Sequence, residues 1–192
     1  MAKDINPGPL SSSPQHLVAM GTTIYMSANA GTTHGTELYA YETTNNSVWL
    51  AADIRLGVAA SSPSDLTVMG TRIYMQANSS THFELWAYES TNGSSWPVTN
   101  FQSSSSSGAP SGFTEFDGKL YFKADDGTGS ELWATGPTNG TVWLAQDIHP
   151  TGASSPTDFH VFAGAMFFSA DDGTNGRELW SVSAFSQNIS FV

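Results

Sequence analysis

The sequence predicts an all-β fold, a four-bladed β-propeller built from one unit used four times. Three observations lead there. A Glu-Leu-aromatic triplet recurs at Glu37-Leu38-Tyr39, Glu84-Leu85-Trp86, Glu131-Leu132-Trp133 and Glu178-Leu179-Trp180, spaced by about 47 residues; that period belongs to propellers, solenoids and arrays. Each triplet lies in a unit with four short apolar runs separated by turn residues, the strand count of a blade. Nowhere do apolar residues recur at three and four over several turns, so no helix is expected.

Taken in order, residues 1–8 read as the tail of a unit, because Lys3-Asp4-Ile5-Asn6 matches Ala52-Asp53-Ile54-Arg55 and Gln146-Asp147-Ile148-His149, which end later units. Each full unit opens at a proline, Pro14, Pro63, Pro110 or Pro156. Proline fixes φ and offers no ladder donor, which suits a strand entrance. Two apolar runs follow, such as Leu17-Val18-Ala19-Met20 and Ile24-Tyr25-Met26, joined at Gly21, Gly70, Asp117-Gly118 or Ala163-Gly164; this is a hairpin signal. The triplet then starts a third strand, and Val48-Trp49-Leu50, Trp96-Pro97-Val98 and Val142-Trp143-Leu144 mark a fourth. The repeats run approximately 9–57, 58–104, 105–151 and 152–192 plus 1–8, within one domain of 192 residues.

The last unit stops before its Asp-Ile element, and the first eight residues supply one. Ring closure by pairing of the two terminal segments is therefore expected, since an open solenoid would need polar caps. The same pieces could meet between molecules, giving self-assembly. Ser103 to Ser107 reads as a flexible connector between units two and three.

The chain carries 6 Lys+Arg against 17 Asp+Glu, for a net charge of -11. Such a surface repels phosphate backbones and anionic lipid, so nucleic acid is excluded as a partner. No run approaches the roughly 20 apolar residues of a membrane span, so no membrane insertion is expected. Absence of cysteine removes disulfides and thiolate metal sites. Abundant Ser and Thr, with Asn-x-Ser/Thr sites at Asn45, Asn78, Asn92, Asn139 and Asn188, lean toward an extracellular or particle surface.

The pattern Ala-Asp-Asp-Gly-Thr, Glu-Leu-Trp, Trp-Leu-Ala-Gln-Asp-Ile and Ser-Ser-Pro, fullest in units three and four, resembles the bacterial ELWxxDGT repeat family over nearly the whole chain. Here Asp-Gly-Thr does not follow Glu-Leu-Trp; after Trp86 an Asn92-Gly93 stands in for it. The resemblance implies a secreted or surface-displayed propeller-like protein and brings no catalytic residues.

Two sets of residues are candidates for binding. Asp125 and Asp126 with Glu131, and Asp171 and Asp172 with Glu178, place three carboxylates near one turn, oxygen chemistry that suits Ca²⁺. The plainer reading, which we favour, is Asp-Gly turn chemistry in which Asp accepts backbone amides two residues on. The recurring glutamates likewise read best as acceptors for amides of the neighbouring blade. Among the aromatics, most should fill the core, including Trp49, Trp96 and Trp143 with Tyr39 and Trp180. Tyr41, Tyr88, Trp86 and Trp133 are the candidates for stacking on carbohydrate. The five histidines are scattered and share no zinc neighbourhood. No Ser/His/Asp set or paired-carboxylate arrangement stands apart from the repeat. The expected function is a non-catalytic binding or adhesion module, not an enzyme, for carbohydrate or a surface protein, with Ca²⁺ as an optional cofactor. The alternative is a structural subunit of an extracellular filament or virion that assembles through complementary termini.

Overall fold

The computed structural model describes residues 2–31, 33–80, 82–99, 101, 108–137, 140–184 and 189–191. Those residues form sixteen strands and no helix. The first sheet holds β1 (Gln15–Met20), β2 (Thr23–Asn29), β3 (Thr36–Glu42) and β4 (Ser47–Ala52); the second holds β5 (Ser64–Met69), β6 (Arg72–Asn78), β7 (Phe83–Glu89) and β8 (Ser94–Pro97). The third holds β9 (Ser111–Phe116), β10 (Lys119–Asp125), β11 (Ser130–Thr135) and β12 (Val142–Gln146); the fourth holds β13 (Thr157–Phe162), β14 (Ala165–Asp171), β15 (Arg177–Ser183) and β16 (Ile189–Phe191). Every sheet is an antiparallel meander with its strands in chain order. The chain divides into two compact units, Met1–Pro97 with the first two sheets and Val98–Val192 with the other two.

Local chemistry repeats with the sequence. Each unit-opening proline directly precedes the first residue of its sheet, as expected. Two residues into each first strand the register shifts at a bulge, and His16, Asp65, Gly112 and Asp158 there all adopt positive φ, between 52° and 71°. An extra residue in the left-handed region re-aims the strand without ending the ladder. Asp117-Gly118 (φ 51° and 70°) turns β9 into β10 with both residues at positive φ, the backbone that matches strand twist.

In the first unit, Tyr25, Leu38 and Ala40 of the first sheet pack against Ile73, Met75, Trp86 and Tyr88 of the second. In the second unit, Phe116, Tyr121 and Leu132 of the third sheet pack against Met166, Phe168 and Val182 of the fourth. Burying a side chain of this size stabilises by about 1.5–3 kcal/mol. The leucine of the triplet is fully buried at Leu38, Leu85 and Leu132, yet Leu179 is 49 % exposed.

The Asp-Ile elements reach forward onto the next sheet. Ile54 joins the core beside Ile73 and Met75, and Ile148 joins that beside Met166 and Phe168. Ile5 packs on the first sheet, near Met26 and Tyr39. Phe101 takes this place ahead of the third sheet, with its ring 4.9 Å from Trp133 and 6.2 Å from Phe122. Asn100 and the connector Ser103 to Ser107 lie outside the described residues, as do Met1 and Val192. The expected outer strand shared by both ends does not form among the described residues. β16 alone supplies the outer strand of the fourth sheet, pairing Ile189 with Val182, and residues 2–8 form no strand. The apolar side chain at Ile5 explains this, since it gains more from packing on a sheet face than from lengthening an edge.

Candidate functional site

The first and second units differ at one cleft. In the first unit Tyr88 of β7 lies against Tyr25 of β2, ring centroids 5.6 Å apart, and is 4 % exposed. At the repeat position of Tyr88 the fourth sheet has Val182. The smaller side chain leaves a cleft of about 320 Å³ lined by Lys119, Tyr121, Trp143, Ala145, Val182 and Ile189. Trp143, on the outer strand β12, remains 38 % exposed at its wall. Tyr121 brings a phenol held neutral, because burial and the nearby Asp117 charge push its pKa up. Lys119 adds an ammonium, 3.8 Å from the Asp117 carboxylate. An aromatic platform with a few polar groups around it is the composition of a small-molecule site.

Sequence reasoning placed Trp143 in the core set and passed over Lys119, Tyr121 and Val182. The signal lay in the departure from the repeat: one unit has valine where another has tyrosine.

The residues put forward for carbohydrate stacking sit elsewhere. Trp86 and Tyr88 are buried in the first unit's core, 9 % and 4 % exposed, so neither ring has a face to offer a sugar. That corrects their selection, and the reason is strand alternation: both point toward the adjoining sheet. Trp133 is half-buried beneath Phe101. Tyr41 is half-buried, and its hydroxyl donates to Asn46 Oδ1 at 2.6 Å. Conversely Trp49, assigned to the core, is 39 % exposed, as outer-strand position dictates.

The carboxylates proposed for Ca²⁺ are committed to their own backbone. Asp125 accepts the amides of Gly127 (2.7 Å) and Gly129 (3.2 Å), and Asp126 accepts the amide and hydroxyl of Thr128. Asp171 accepts Gly173 N, and Asp172 accepts the amides of Thr174 and Asn175. Glu131 turns away into the protein. No group of three metal-ligating side chains comes together among the described residues. Of the set Asp125, Asp126, Glu131, Asp171, Asp172 and Glu178 put forward for Ca²⁺, the four aspartates are engaged in turn chemistry with their own loops.

Glu37 and Glu131 form a repeated latch. Glu37 accepts Ile54 N at 2.9 Å, Ser61 N at 2.7 Å and Ser61 Oγ at 2.5 Å; Glu131 accepts Ile148 N at 2.9 Å, Ser154 N at 2.8 Å and Ser154 Oγ at 2.6 Å. Each carboxylate ties its strand to the segment leading into the next sheet. Glu178 differs, since it is exposed. Burial pushes the Glu37 carboxyl above its usual range, against the pull of the Ser61 and Ile54 donors. At Asp172 the Asn175 and Thr174 amides hold the carboxyl below its usual range, and at Glu42 the Thr44 amide does the same. The two shifts act oppositely on stability. Glu37's contribution is present below its unfolded pKa and lost as pH rises through its folded one. Those of Asp172 and Glu42 are present above their unfolded values and lost as pH falls through the folded ones. A carboxyl-carbon NMR titration should find Glu37 protonating first on acidification, ahead of Asp172 and Glu42; the reverse order would show that the Ser61 and Ile54 donors outweigh burial at Glu37.

No protein family model matches this sequence, and no curated protein matches it either. Solved structures do match. One from a study of two prolyl endopeptidases aligns over 90 % of this chain at 11 % identity and a TM-score of 0.61. TolB from Acinetobacter baumannii aligns over 88 % at 10 % identity and a TM-score of 0.54. The β-propeller domain of the Trilobed protease from Pyrococcus furiosus, which has an open velcro topology, aligns over 91 % at 14 % identity and a TM-score of 0.59. The fold is that of β-propeller blades. This chain spans only 24 %, 40 % and 53 % of those three structures, so its four blades correspond to part of each. Blade likeness at this identity carries the architecture and no chemistry. The cleft between the third and fourth blades has Trp143 at its wall and Val182 in its lining.

Proposed function

We propose that the chain is a non-catalytic carbohydrate-binding module of propeller type, displayed on an extracellular or particle surface. The observation that carries this reading is Trp143 at the wall of a 320 Å³ cleft with the Tyr121 phenol and the Lys119 ammonium. A sugar presents an apolar C–H face that stacks on an aromatic ring and hydroxyls that need donors and acceptors. The net charge of -11 favours neutral glycans over anionic ones. Exposed Asn45 and Asn92, each in a sequon, suit a glycosylated surface. This reading does not require Ca²⁺, since the loop aspartates already hold their turns through backbone amides and lie outside the cleft lining.

The test is a glycan array probed with and without a calcium chelator, followed by titration of the best hit. Chelation should leave binding unchanged. Trp143→Ala should weaken it by about tenfold or more, and Val182→Tyr, which refills the cleft, should do the same. No glycan above background, or full affinity in Trp143→Ala, would overturn the reading.

In the same reading the blades belong to one closed ring, sealed where the last blade receives an Ile5-type segment. The alternative of a structural subunit that assembles through complementary ends draws its support from the exposed Leu179 and Glu178.

A further inference from the structure

Arg177 opens β15 opposite Asp171 and is held in place by its own blade. Its Nη1 donates to Ser169 Oγ at 2.9 Å, to the Ser169 carbonyl at 3.1 Å and to Thr157 Oγ1 at 3.3 Å, while Nη2 donates to the Ser155 carbonyl at 2.9 Å. All four acceptors are neutral oxygens. The register shift that follows Thr157 interrupts the ladder there, and the Ser169 carbonyl takes a side-chain donor instead.

The first and second blades repeat the acceptors and omit the arginine. At its register, opposite Asn29 and Asn78, they have Thr36 and Phe83. Ser13 and Ser62 stand where Ser155 does and share its backbone conformation, with φ of 43°, 48° and 46°. The pairs Gln15–Ser27 and Ser64–Gln76 stand where Thr157–Ser169 does, each followed by the same register shift. Ser64 Oγ donates to Gln76 Oε1 at 3.2 Å, much as Thr157 Oγ1 and Ser169 Oγ meet at 3.1 Å. In the third blade Lys123 falls at the Ser169 position, paired with Ser111. Two blades thus carry a lysine or arginine at this place, and two do not.

Where that cation is missing there is room for one. A pocket of about 390 Å³ opens between the first and second blades, within the first compact unit, and its wall includes Ser13, Gln15, Ser27, Thr36, Ser64 and Gln76. Phe83 adds a ring on which a guanidinium can stack. Among the described residues, no lysine, arginine, aspartate or glutamate lines it. The net charge of -11 draws cations toward the surface as a whole.

We propose that this pocket binds the guanidinium of an arginine side chain, held by the counterparts of the oxygens that hold Arg177. Arginine is selected over lysine. A planar fork meets several fixed acceptors at once, whereas a compact, strongly hydrated ammonium would give up water for neutral oxygens that replace it only in part. The pocket shares no residue with the cleft at Trp143, so the inference stands apart from the carbohydrate reading.

Amide NMR of the full chain, titrated with Nα-acetyl-arginine amide, decides it. Shifts should gather at Gln15, Ser27, Thr36 and Ser64. The corresponding lysine amide should bind at least about tenfold more weakly, and so should the citrulline amide, which keeps the shape and loses the charge. A blocked Ala-Arg-Ala peptide tells two sources of the same group apart: tighter binding than the single residue marks a peptide partner, and equal binding marks the amino acid itself. Thr36→Arg supplies the chain's own guanidinium at the register of Arg177 and should abolish binding. Ser27→Ala removes the hydroxyl that matches Ser169 Oγ and should weaken binding by about threefold to tenfold, a readout that holds if Thr36→Arg fails to fold. Trp143→Ala should leave it unchanged. No shift at these residues at any soluble concentration, equal binding of the lysine or citrulline amide, or full affinity in Thr36→Arg or Ser27→Ala would overturn the proposal.

Discussion

Glu131→Ala is expected to destabilise its unit by about 3 kcal/mol. The substitution removes the acceptor of Ile148 N, Ser154 N and Ser154 Oγ, all buried. Two amides then lose their only partner at a site that water does not reach, at a cost of about 1–3 kcal/mol each, while release of a buried carboxylate returns part of that. Alanine also leaves the Ile148 segment untethered, so Ile148 loosens from Met166 and Phe168. Urea unfolding followed by fluorescence should show the loss, and hydrogen exchange should localise it to Ile148 and Ser154. Glu131→Gln keeps one acceptor oxygen and should cost roughly half as much. Glu178→Ala supplies the contrast. At this exposed position it should change stability by less than about 0.5 kcal/mol. Equal losses in Glu131→Ala and Glu178→Ala would refute the account of the latch.

Gly35→Ala should be of similar severity for a steric reason. Its Cβ would sit 2.5 Å from backbone atoms of Ala59 and Ala60, and backbone cannot rotate aside as a side-chain end can. The segment from Gly57 to Ser61 must retreat. That breaks Gly35 N to Gly57 O at 3.3 Å and Ser62 N to Thr36 O at 3.0 Å, and it pulls Ser61 from Glu37. We expect a loss of about 3 kcal/mol or more. Gly176→Ala changes the same register with nothing to strike, so only its positive φ of 79° matters, at about 1 kcal/mol. Thermal unfolding of the two variants side by side checks the difference, and a milder effect at Gly35 than at Gly176 would contradict the close approach seen here.

Much of this architecture was legible because repetition turns one observation into four. The position of Pro14, Pro63, Pro110 and Pro156 before each first strand, and the turn at Asp117-Gly118, follow from local backbone chemistry that any copy reports. The glutamate latch was also legible, since a charged residue kept at one register beside a buried leucine needs fixed donors. The cleft was not. It depends on the difference between Tyr88 and Val182, and averaging over copies erases the one copy that departs. The burial of Trp86 and Tyr88 was hidden for a related reason: spacing identifies which residues are equivalent and not which side of a strand they face. Ile5 shows a further limit. Its match to Ile54 and Ile148 was readable, but whether the segment would lengthen a strand or lie on a sheet face depends on packing that periodicity does not encode.

The latch also bears on how the protein is made. Glu37 binds Ser61, 24 residues downstream, and Glu131 binds Ser154, 23 downstream. A sheet emerging from the ribosome therefore has every strand it needs just before the segment that locks it has been synthesised. Each lock closes only as the next sheet begins to appear. Short loops of this kind are closed at little entropic cost, so the chain can consolidate stepwise from its N-terminal end while translation continues.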